Sequence, residues 1–73
     1  MNVIVEFNGI QKKIYCDESC DAIHAKELAC CEFSLSPAFT RVYFNGQILL
    51  GEKLLEEFGI TDGAVLKVES ASL

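Results

Sequence analysis

The sequence has no basic cluster, no long apolar run and no segment of biased composition. Each absence removes a class of function. Six lysines and arginines stand against eleven acids, for a formal charge of −5. Phosphate binding needs a clustered basic surface, so nucleic acid is not expected as a partner. No apolar run approaches the roughly 20 residues of a membrane span, and no charged-apolar-small signal peptide follows Met1. The expectations are no membrane association and a cytoplasmic or nuclear location. At 73 residues the chain is one domain, which buries roughly 60% of its unfolded surface. Its hydrophobic fraction of 51% is enough for one core without metal or disulfide staples.

Cys16, Cys20, Cys30 and Cys31 would make a disulfide framework in a secreted chain, but no secretory signal accompanies them. The spacing puts three of the four on one predicted helix. Adjacent Cys30 and Cys31 point about 100° apart on a helix and cannot bridge without breaking it. All four are expected as reduced thiols.

Hydrophobic alternation and turn chemistry lay out the rest. Met1 to Phe7 alternates, with Val3, Val5 and Phe7 on one face and Asn2, Ile4 and Glu6 on the other. Asn8-Gly9 signals a two-residue hairpin, and Ile10 to Cys16 is the predicted return strand, leaving Lys13 and Tyr15 outside. Asp17 to Asp21 offers N-cap groups, and Ala22 to Phe33 is helical in composition. Ala22, Ala25 and Ala29 fall in a narrow arc at 100° per residue, so the helix can approach a sheet closely. The large core side chains then come from strands: Val3, Val5, Ile14, Val42, Phe44, Leu66 and Val68. Leu49 and Leu55 are expected to join them.

Pro37 predicts an extended connection into a strand at Thr40. Asn45-Gly46 is a second hairpin signal. Leu54, Leu55 and Phe58 form a short apolar turn closed by Gly59. Asp62-Gly63 turns into a last strand, Ala64 to Glu69, in which Leu66 and Val68 alternate with Lys67 and Glu69. The reading is an α+β β-grasp: a mixed five-stranded sheet wrapped around one helix plus a short helical turn. The last strand is expected beside the first and parallel to it. The domain spans residues 1–69, with 70–73 expected as a fraying tail.

These pieces, in this order, resemble the ubiquitin family over essentially the whole chain. Met1-Asn2-Val3-Ile4-Val5 is similar to its first strand. Arg41-Val42-Tyr43-Phe44-Asn45-Gly46-Gln47 resembles its Arg-apolar-apolar-Phe-x-Gly-(Lys/Gln) signature. Leu54-Leu55-Glu56-Glu57-Phe58-Gly59-Ile60 resembles its Thr-Leu-x-(Asp/Glu)-(aromatic/Leu)-x-Ile turn. The stretch from Phe44 to Val68 is also similar to SUMO. The resemblance implies a non-catalytic protein-interaction domain, expected as the N-terminal module of a larger protein in the ubiquitin–proteasome or SUMO pathway. Ubiquitin-like-domain receptors and proteasome or SUMO machinery are the implied partners, and a monomer is expected.

The departures from the family bear on function. Conjugated members end in Gly-Gly, which the sequence to Leu73 does not contain. Tyr43, the Asn8-Gly9 turn, Glu69 and Lys67 stand where ubiquitin carries its apolar recognition patch, and Gln47 stands where it carries its main chain-building lysine. The alternative is a conjugatable modifier, or a sulfur carrier of the same fold, with a trimmed C-terminus. A Gly-Gly in the parent reading frame shortly after Leu73 would favour it.

The outer sheet face is predicted to carry Ile4, Glu6, Lys13, Tyr15, Tyr43, Lys67 and Glu69. Exposed tyrosines flanked by charges suit a protein interface, since a large rigid ring loses little entropy on binding. Ile4, Tyr15, Tyr43, Gln47 and Lys67 are the expected contact residues. The alternative for the same face is a solvated surface with cross-strand Lys/Glu pairs. Ile48, Leu50 and Leu54 form a second apolar candidate. Ile23, Leu28, Cys30 and Phe33 are a third, for self-association.

Cys20, His24, Glu27 and Cys31 are metal-ligand types. Along a helix, however, Cys20 and Cys31 are about 16 Å apart, whereas one tetrahedral zinc holds every ligand atom within about 2.3 Å of itself. The spacing also departs from the Cys-x4-Cys-x2-Cys of a plant-type ferredoxin. A Cys/His nucleophile pair on a lone helix would have no cleft, oxyanion donors or orienting third group. No metal, no cofactor and no catalysis are expected. His24 is expected as a solvated helix residue, and Lys26 as a structural one beside the alanine stripe.

Overall fold

A computed structural model describes residues 1–71. Both hairpins form where the Asn-Gly pairs stand. β1 (Asn2–Phe7) and β2 (Ile10–Tyr15) are joined by Asn8 and Gly9, at φ 51° and 81°. β3 (Thr40–Phe44) and β4 (Gln47–Ile48) are joined by Asn45 and Gly46, at φ 51° and 79°. Two successive positive φ values make the type I′ turn, whose twist matches the flanking strands. β5 (Val65–Ser70) lies parallel to β1 and antiparallel to β3, giving the sheet order β2-β1-β5-β3-β4. Among the described residues, this mixed five-stranded sheet, one α-helix and two 3-10 turns form an α+β β-grasp.

The helix α1 (Ala22–Phe33) starts where Asp21 Oδ1 accepts the His24 N–H at 2.8 Å. Two further first-turn donors are met by the segment before the second 3-10 turn (Leu55–Phe58), with Ala22 N–H on Lys53 O and Ile23 N–H on Gly51 O. Ser34 ends the helix in the left-handed region at φ 56°, and its N–H donates to Cys30 O. Ala22, Ala25 and Ala29 are buried against the sheet as the spacing predicts. The core between the layers comprises Val3, Val5, Ile14, Val42, Leu49, Leu55, Leu66 and Val68, with Phe7, Phe33 and Phe44 packed at its margins.

Some local expectations are corrected. Cys20 precedes the helix rather than riding on it and is buried, its carbonyl accepting the Leu55 N–H. Pro37–Phe39 is a single 3-10 turn, not an extended connection. Ser36, before the proline, does take the extended conformation, and Thr40 Oγ1 closes the turn on Ser36 O at 2.7 Å. Ile60 joins the core, and its N–H donates to Leu55 O. β5 runs through Ser70, which pairs with Thr40, and the Ala71 N–H donates to Phe39 O. Ser72 and Leu73, the rest of the expected tail, lie outside the described residues.

Candidate functional site

The helix covers one face of the sheet and leaves the other open. Strand register arranges that open face in rows. One row crosses all five strands: Gln11, Glu6, Lys67, Tyr43 and Ile48. A second holds Lys13, Ile4 and Val65, and a third pairs Arg41 with Glu69. Tyr15 stands opposite Asn2 and diagonal to Ile4, with 67% of its surface exposed.

Four of the five expected contact residues therefore share one face. Ile4 and Tyr43 are half-buried, and Tyr15 and Lys67 are exposed. Gln47 does not join them. It pairs with Phe44, whose side chain packs on the core, so Gln47 belongs to the opposite face of the ribbon from Tyr43. Ile48 takes the place beside Tyr43. Ile48, Val65 and Arg41 are outer-face residues that the sequence reading missed. The alternation around Leu66 already points Val65 outward, and a two-residue Asn45-Gly46 turn already sets Ile48 across from Tyr43.

Lys67 is engaged within the domain. Its ammonium sits 2.6 Å from Glu6 Oε2, and Gln11 Nε2 donates to Glu6 Oε1 at 2.9 Å. The Lys67 hydrogen bond, then the Gln11 one, hold the Glu6 carboxyl below its ordinary value, against a smaller opposing effect of burial. The middle of the face thus carries the cross-strand pairing of a solvated surface, with apolar and aromatic groups on either side. Ile4 and Val65 lie two residues before the pair on the same strands, and Tyr43 and Ile48 continue its row beyond Lys67.

The other candidate clusters disperse. On the helix, Cys30 is buried and Leu28 and Phe33 pack on the core, which leaves Ile23 as the exposed member of the four. Leu54 bridges to Asp21, apart from Ile48 and Leu50, which line a groove with Phe39. Cys20 is buried, whereas His24, Glu27 and Cys31 are exposed. Among the described residues no three His, Cys, Asp or Glu side chains converge as metal ligands, and no helix is long and apolar enough to cross a membrane. His24 is exposed on α1, and Lys26 is half-buried at the rim of the groove.

No family model matches the chain, and no curated protein matches it in sequence. Solved structures do match in shape. The crystal structure of ATBAG1 in complex with HSP70 superposes with a TM-score of 0.90 at 10% identity. The match covers 100% of this chain and 41% of that one, so the chain spans less than half the length of this neighbour. In all, 346 solved chains match. Likeness at that identity speaks for the fold, and a fold so widely used hosts many functions. The chain has the ubiquitin-like β-grasp fold.

Proposed function

We propose that the domain is a non-catalytic protein-interaction module that docks through its open sheet face. The observation that carries this reading is the arrangement of Tyr43 and Ile48 beside Ile4 and Val65, on the face α1 leaves uncovered. Tyr15 extends the surface at the β2 edge. Aromatic and aliphatic anchors around a charged pair suit a partner that buries the anchors and supplies polar partners to the central charges. Lys67 contributes from the middle of the face, where binding exchanges part of its contact with Glu6. The solved neighbour in complex with HSP70 supports the protein-binding reading of this fold.

In the setting implied by the ubiquitin-like resemblance, the module delivers or scaffolds a larger protein in the ubiquitin–proteasome or SUMO pathway. The test is chemical-shift mapping of the labelled domain against ubiquitin-receptor and SUMO-receptor fragments. Perturbations at Ile4, Tyr43, Ile48 and Val65, reduced in Tyr43→Ala, are expected. Perturbations confined to α1 would overturn the choice of face.

A further inference from the structure

At the β4 edge of the sheet, the chain leaves β3 after Leu49 and turns away through Gly51, at φ 76°. The departure opens a groove of about 350 Å³. Phe39, Ile48 and Leu50 supply its apolar walls, with the buried Thr40 on its inner side. Phe39 is 52% exposed and Leu50 64%, so two large apolar side chains stand in water at one edge. Lys26 from α1 and Arg41 from β3 flank them. Neither forms an ion pair among the described residues, and Glu69, across the ladder from Arg41, does not close to ion-pair distance. No acidic side chain lines the groove. In a chain of net charge −5, a locally cationic and apolar cleft is the exception to the surrounding field.

We propose that this groove docks an acidic peptide segment. One bulky aliphatic side chain enters between Phe39, Ile48 and Leu50, and flanking carboxylates meet Lys26 and Arg41. The arginine fork suits a carboxylate bidentately, while the lysine supplies a point charge. The volume is at the small end of the ~300–1,000 Å³ range for ligand clefts, which favours a short extended segment over a folded surface. A nucleic acid fits worse, because two cations cannot offset the repulsion of the other charges and the walls offer no phosphate donors. The inference goes beyond the sheet-face reading and does not depend on it, although Arg41 and Ile48 border both surfaces.

The probe is a fluorescein-labelled peptide of two leucines flanked on each side by two aspartates, titrated into the whole 73-residue chain. Shift changes are expected at Lys26, Phe39, Arg41 and Leu50, with affinity falling as salt rises. The Lys26→Glu/Arg41→Glu variant is expected to weaken binding by about tenfold or more, and Tyr15→Ala to leave it unchanged. Should the double variant lose its dispersed spectrum, Arg41→Gln and the salt titration of the unaltered chain decide instead. Any of three results would overturn the proposal. They are no saturable binding at millimolar peptide, shifts centred on Ile4 and Tyr15, or equal affinity for the peptide with asparagines in place of aspartates. Displacement of the peptide by oligothymidylate, with equal affinity at the same residues, would also overturn it, in favour of a nucleic-acid site.

Discussion

Glu6 accepts the Lys67 ammonium at 2.6 Å across the parallel β1–β5 junction, sixty-one residues apart in the chain. This contact ties the first strand to the last at the centre of the open face. Because it also holds the Glu6 carboxyl below its ordinary value near 4.5, it makes the junction sensitive to acid. A carboxyl with a depressed folded-state pKa contributes stability above its unfolded value and loses it as pH falls through the folded one. The urea midpoint is expected to fall as pH drops below about 4.5, the unfolded value. Glu6→Gln is expected to flatten that dependence. Matched urea titrations of both proteins across pH 3–6 measure it.

The alanine stripe sets how closely α1 can lie on the sheet. Ala25 and Ala29 have no exposed surface, so a larger side chain at either must push the layers apart. Ala25→Leu is expected to cost about 1–3 kcal/mol by overpacking. Leu55, 1% exposed at the start of the second 3-10 turn (Leu55–Phe58), is the opposite case. Leu55→Ala is expected to cost about 2–5 kcal/mol through lost burial and a residual cavity. Against a total stability of roughly 5–15 kcal/mol, the second change can unfold much of the population, and equilibrium urea denaturation separates the two.

What was legible in the sequence was what neighbouring residues determine. Asn8-Gly9 and Asn45-Gly46 demand positive φ, and that demand sets the two hairpins. Ala22, Ala25 and Ala29 mark the buried side of the helix through spacing alone. What was not legible depends on distant contacts. In the run Ile48-Leu49-Leu50, which has no alternation, Leu49 was expected inside and is buried, whereas the shared groove of Ile48 and Leu50 is decided by where β4 leaves β3. Cys20 is buried where its carbonyl accepts the Leu55 N–H, a contact thirty-five residues away that no local pattern announces. Ser34 ends the helix in a conformation that usually advertises itself with glycine. Within the candidate site, Tyr43 and Ile4 followed from alternation. That Gln47 shares the face of Phe44 follows from the register of the β3–β4 pair.

The four thiols are free and differ in reach: Cys31 is exposed, and Cys16, Cys20 and Cys30 are buried. Burial raises both the Cys16 and Cys20 thiols. Cys20 is pushed up to about 12 by burial first, then by the adjoining Cys16 thiol and nearby Asp17 and Asp21. Because the thiolate is the reacting species, Cys31 is expected to be alkylated first under native conditions and all four in urea. Mass spectrometry after timed iodoacetamide labelling reads the order. Raised thiol values also act on stability in the opposite sense to Glu6. Above about pH 9, the unfolded chain releases protons that the native chain keeps, so stability is expected to decline.

The β3–β4 turn connects stability to the open face, because its two-residue length places Ile48 across from Tyr43. Gly46 sits at φ 79°, and a Cβ built there meets nothing within 4 Å. Substitution therefore strains only the backbone, and Gly46→Ala is expected to cost about 1–2 kcal/mol. Asn45 occupies φ 51°, where asparagine is tolerated and glycine is unstrained. Asn45→Gly relieves a small local strain but frees the unfolded chain, so a change within about 0.5 kcal/mol is expected. Equal destabilisation by both changes would mean that packing, not backbone conformation, holds this hairpin. In amide spectra, Gly46→Ala is expected to shift Tyr43 and Ile48 while leaving Ile4 and Tyr15 in place. If Ile4 and Tyr15 move as well, the two halves of the face respond as one unit across the Glu6–Lys67 pair.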